Sequence, residues 1–166
     1  MTKEKRTVRH IKLVHRTTML AAALLIALGT SACSDEPTDY LAPITAEAQN
    51  VGAIRLAVGD QTMTVFKDGK VTLGPLSFPR GSALVTATLL DNQGNEMTNV
   101  DPAKLKVNMG QSATSQLGSL SYTRIDDFSG TLTGTTVGTG EFSVSLFDAV
   151  SRRAVFGPYF VGIVVR

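Results

Sequence analysis

The stretch EFSVSLF, Glu141 to Phe147, decides the fold of this chain. Apolar and polar residues alternate along it, so an extended backbone puts Phe142, Val144 and Leu146 on one face and Ser143 and Ser145 on the other. Working outward, KLKVNM (Lys104–Met109) does the same, with Leu105, Val107 and Met109 inward and Lys104, Lys106 and Asn108 outward. QTMTVF (Gln61–Phe66) puts Met63 and Val65 together, and AIRLAV (Ala53–Val58) groups Ile54, Leu56 and Val58 opposite Arg55. Gly59-Asp60 between those two segments is a turn signal. ALVTATLL (Ala83–Leu90) is apolar or threonine on both faces, which suits a central strand. YFVGIVVR (Tyr159–Arg166) is almost continuously apolar and reads as a strand covered on both sides.

Clusters of Gly, Asn and Asp separate these segments: KDGK, DNQGNE, NMGQ, DDFSG and TTVGTG. Turn signals recur at roughly ten-residue spacing, and no long run keeps helical periodicity. The expectation is an all-β sandwich of about seven to nine short strands over residues 51–166, a length that suffices for one core. With a single cysteine in the chain, no internal disulfide can brace it.

Two segments resemble bacterial immunoglobulin-like domains: LLDNQGNEM (Leu89–Met97) and FSGTLTGTTVGTGEFSVSL (Phe128–Leu146). In that family a central strand ends in an Asp-x-x-Gly turn, and a Gly-Thr-Gly turn leads into an alternating strand. Gly94, Gly138 and Gly140 supply the conformational freedom such turns use. The resemblance implies an immunoglobulin-like β-sandwich. The tryptophan often found in such domains is absent.

The first 32 residues are different in kind. They hold six basic residues against one acidic, a net of +5, whereas the remainder holds ten against thirteen, a net of −3. A cationic segment to Arg16 precedes MLAAALLIALG (Met19–Gly29), then Thr30, Ser31, Ala32 and the lone Cys33. Eleven residues of this kind are too few to span a bilayer, which takes about 20, and suit the apolar zone of an export signal. Small residues before a cysteine at the end of such a leader resemble the processing site of bacterial lipoproteins. That resemblance implies cleavage after Ala32, acylation of Cys33, and, with Ser34 following, the outer membrane of the cell envelope. Thr30 stands where the family usually has Leu, Val or Ile, so ordinary secretion after Ala32 and a free thiol stay open as alternatives. Two or more acyl chains, at about 0.8 kcal/mol per buried methylene, would anchor the protein stably. Residues 33–50, with two prolines and no sustained alternation, read as the lipidated cysteine and an extended linker.

Composition narrows function by exclusion. His10 and His15 lie in the leader, so the exported part has no histidine to serve zinc, copper or a serine nucleophile. Its acidic balance offers no footprint for nucleic acid. Gly134, Gly138 and Gly140 lie among threonines with no following lysine, so they do not make a phosphate-binding loop. The expectation is a non-catalytic binding or structural module without cofactor, partnered by the membrane and by an envelope protein or polysaccharide; the alternative is a secreted carbohydrate- or ligand-binding module without a lipid anchor. Three acids, Asp126, Asp127 and Asp148, are weak calcium candidates for an adhesion module. DNQGNE reads as a hairpin turn, because Pro102 occupies the twelfth position from Asp91, where a calcium loop needs glutamate. In VFGPYF, Gly157-Pro158 interrupts a strand and could expose Phe156 or Tyr159 as a contact surface. The alternative is that these rings close the end of the core.

Overall fold

The computed structural model describes residues 42–72, 74–111 and 120–166. Ten strands and one short helix occur among them: α1 (Ala46–Asn50), β1 (Val51–Val58), β2 (Gln61–Phe66), β3 (Val71–Thr72), β4 (Leu76–Phe78), β5 (Gly81–Asp91), β6 (Leu105–Gln111), β7 (Leu120–Arg124), β8 (Ser129–Gly134), β9 (Gly138–Asp148) and β10 (Arg153–Val165). They form two sheets, ordered β3-β2-β1-β5-β8-β7 and β4-β10-β9-β6. All neighbours are antiparallel except β4, which runs parallel to β10. Strands β5, β8 and β7 thus take the places of B, E and D in an immunoglobulin sandwich, and β6, β9 and β10 those of C, F and G. The protein is an immunoglobulin-like β-sandwich. Its count exceeds the expected seven to nine because β3 and β4 are edge pieces of two and three residues.

The alternating segments behave as their pattern dictates. Phe142, Val144 and Leu146 are fully buried, and Leu105, Val107, Met63, Val65, Ile54, Leu56 and Val58 join them in one core between the sheets. Gly59-Asp60 is a two-residue hairpin closed by the Val58–Gln61 pair, with Gly59 at the positive φ of 61° that such turns require. Gly94 likewise takes a φ of 87°, whereas Gly140 is an ordinary residue inside β9.

Three expectations change. The run YFVGIVVR is covered on one face only: Val161, Ile163 and Val165 are buried, whereas Phe160 is 55% exposed. β10 is central between β4 and β9, yet its outer face is open, and a continuous apolar run does not by itself distinguish the two cases. β5 is central as expected, but Leu84 on its outer face is exposed. The linker expected to run to Asn50 instead ends in α1, whose Ala48 is fully buried in the core. Thr45 caps that helix: its hydroxyl accepts from the Ala48 N–H at 3.3 Å.

Candidate functional site

Cys33 and Ala32, the expected lipid-attachment and cleavage residues, lie outside the described residues. No helix among the described residues is long and apolar enough to cross a membrane.

Asp148 ends β9 and is a structural hub. Its carboxylate is buried and accepts the Thr45 N–H at 2.7 Å, the Val150 N–H at 3.0 Å and the Ser151 N–H at 3.3 Å. Burial pushes its pKa up, but donors from Thr45, Ser151 and Val150 outweigh that and hold the carboxyl below the ordinary aspartate value. One side chain therefore pins the entering chain and the β9–β10 turn together. Asp126 accepts the Phe128 N–H at 2.7 Å, and that bond chiefly depresses its pKa. Asp127 forms an ion pair with Arg124. The three acids expected as calcium candidates are each committed to local partners, and no group of three or more His, Cys, Asp or Glu among the described residues is placed to hold a metal ion.

Phe156 is 6% exposed and belongs to the core, which corrects its reading as a contact residue. Tyr159 is half-buried. Its ring stacks on Phe156 with centroids 6.1 Å apart, and its hydroxyl donates to the Lys67 carbonyl at 2.7 Å. β10 passes through Gly157-Pro158 with a register shift between Phe156 and Tyr159, so the dipeptide makes a bulge and not an end. That bulge aims Tyr159 at the β2–β3 turn, where a Cβ on Gly69 would sit 3.0 Å from the ring. Tyr159 ties the two sheets along their β2/β10 side. The closing role, not the contact role, is the one these rings play.

A different arrangement was not legible in the motifs. The outer face of the larger sheet carries rows of threonines, Thr62 and Thr64 on β2, Thr86 and Thr88 on β5, and Thr131 and Thr133 on β8, interrupted by Arg55 and Ala57 of β1 and by Leu84 of β5. At one end of it Phe66 replaces the threonine pattern and is 39% exposed. Beside Phe66 a cleft of 370 Å³ opens between the Phe66–Asp68 segment and the Asp91–Gly94 turn, with Gly52 and Ala53 of β1 at its base. Gly52 makes the cleft's geometry possible, since a Cβ there would lie 2.7 Å from the Asp91 carbonyl oxygen. Its own carbonyl accepts the Lys67 N–H at 2.9 Å, so one wall is hydrogen-bonded to the glycine that the other wall closely approaches. The turn is also braced from within: Asp91 Oδ1 accepts the N–H groups of Gln93 and Asn95 at 2.9 and 2.8 Å. The Asn95 N–H is the largest reason that the Asp91 carboxyl is held below its ordinary pKa. A single-aromatic signal, Phe66 at an outward position of an otherwise threonine-bearing strand, was the only trace of this in the sequence.

No family model matches the chain, and no curated protein does. Among solved structures the chain is similar to the crystal structure of the S-layer protein SbsC domains 4 and 5, at 17% identity and a TM-score of 0.36, over 66% of this chain and 64% of that chain.

Proposed function

We propose that the protein is a non-catalytic envelope lipoprotein, held by acyl chains on Cys33 and presenting its sandwich as a binding or structural module. The observation that carries this reading is the lone cysteine behind a basic, apolar and then small-residue leader. The way the chain enters the domain supports it. Thr45 is bonded to buried Asp148 and Ala48 is locked in the core, so a pull on the amino terminus is delivered to the core and not to a loose end. The non-catalytic part of the reading follows from composition: no histidine or cysteine follows position 33, and the acids described above are occupied by backbone and arginine partners.

The test is the mass of the mature amino terminus together with detergent partitioning of the envelope fraction. A terminus at Cys33 carrying acyl mass, with the protein in the detergent phase, is the expected result. An unmodified terminus after Ala32, in the aqueous phase, would replace the anchor with plain secretion. The calcium-adhesion alternative predicts a melting temperature that falls in chelator. Given the occupied carboxylates, chelator is expected to leave the melting curve unchanged, in the wild type and in Asp126→Asn with Asp127→Asn alike.

A further inference from the structure

We infer that the cleft between Phe66 and the Asp91–Gly94 turn is a saccharide site, taking a neutral hexopyranose unit of an envelope polysaccharide. The inference rests on the binding-module reading above and names its ligand. Its volume of 370 Å³ lies at the lower end of the range for small-ligand sites, about 300–1,000 Å³. Phe66 offers an exposed ring for the apolar face of a pyranose. Lys67 and Gln93 line the same cleft, and among the described residues neither side chain has an ion pair or a hydrogen-bond partner, which leaves an ammonium and an amide to serve ring hydroxyls. Both walls are rigid, through Gly52 on one side and the Asp91 turn on the other, so little ordering remains to oppose binding.

The same features disfavour other occupants. An extended peptide would need an open strand edge, and β1 at the base of the cleft is already paired on both sides, by β2 and β5. A charged ligand would need an imbalance, but Lys67 and Lys70 are matched by Asp68 and Asp91, with Lys70 held by Asp68 at 2.9 Å. Beyond the cleft the outer face carries Thr64 and Thr88 on either side of Arg55, whose charge is paired with Glu96, so hydroxyls and a neutralised ion pair border the site.

The experiment titrates the full detergent-solubilised chain with cellotetraose, maltotetraose and tetra-N-acetylchitotetraose, and with oligogalacturonate as the charged comparison. The expected result is saturable binding of at least one neutral oligomer, weakened tenfold or more by Phe66→Ala and unaffected by Phe160→Ala, which removes an exposed ring on the other sheet. Gln93→Ala, on an exposed turn, is the second variant and should weaken binding severalfold even if Phe66→Ala lowers the yield of folded protein. No binding of any neutral oligomer overturns the proposal, as does binding that ignores Phe66 and Gln93 or tighter binding of the charged oligomer. The mass of the amino terminus, read on the same preparation, reports the Cys33 anchor separately, so loss of the saccharide site leaves that reading standing.

Discussion

Asp148 shows how a residue can be misread by type. An acid at a strand end suggests a solvated or metal-binding carboxylate, but its position after an alternating strand places it in the pleat that faces inward. It is 0% exposed and spends its oxygens on three backbone N–H groups. Removing it strands those donors, and each hydrogen bond to a charged group is worth about 1.5–3 kcal/mol. Asp148→Ala is expected to cost about 3 kcal/mol or more in urea unfolding at neutral pH, with Asp148→Asn intermediate. The pH dependence follows from the depressed pKa. The native state holds this proton less tightly than the unfolded chain, so the contribution is complete above the ordinary value of 3.8 and fades as pH falls through the lower folded value. Wild-type stability should therefore fall more steeply below that value than that of Asp148→Asn; equal slopes would show that Asp148 is not the group responsible. Tyr159 is the opposite case. Its ring reads as a surface aromatic but works as a strut, and Tyr159→Phe, which deletes only the bond to the Lys67 carbonyl, should cost about 1 kcal/mol without changing the circular dichroism spectrum.

At the scale of elements, period-two alternation was sufficient wherever one face meets the core and the other meets water. β2, β6 and β9 were legible for that reason. β10 was legible as a strand but not in which face is covered, because its outer face carries Phe160 and Val164 in place of polar residues, and apolar character alone does not say which side meets the core. Packing against small residues was also invisible in the pattern. Gly134 ends β8 where a Cβ would lie 2.5 Å from Val165 Cγ2 and 3.3 Å from Phe78 Cζ, so it lets the two sheets close at that end. Gly134→Val should lower stability by about 1–3 kcal/mol through overpacking, at a backbone position that needs no unusual φ. The core strands are more sensitive still. Val107 on β6 and Val144 on β9, adjacent strands of the smaller sheet, sit in the core with at most 2% exposure, and an aspartate at either place is a buried charge without a partner. Val107→Asp or Val144→Asp should leave no cooperative melting transition, because a loss above about 4 kcal/mol removes most of a small domain's margin.

The whole molecule places its boundary where composition did not. Two prolines and a scatter of acids made residues 33–50 read as one linker, and nothing in that composition marks Thr45 as different from Thr38. The distinction is tertiary: Thr45 meets Asp148, 103 residues away, and Ala48 fills the core beside Val51. A five-residue helix has no stability of its own in water and persists through such packing. The folded unit therefore begins before β1, and trimming the chain should reveal a step. A protein starting at Ala42 keeps the cap, the Asp148 bond and buried Ala48. One starting at Val51 loses all three, exposes the fully buried Val51 and leaves Asp148 with one fewer donor. The expected cost of moving the start from Ala42 to Val51 is about 3 kcal/mol in urea unfolding, the sum of one charged hydrogen bond and the opened apolar surface. Ala48→Asp in the full chain should reproduce most of that loss, because it evicts the helix without shortening anything. If the Val51 start melts at the same temperature as the Ala42 start, α1 belongs to the tether, and the core closes without it.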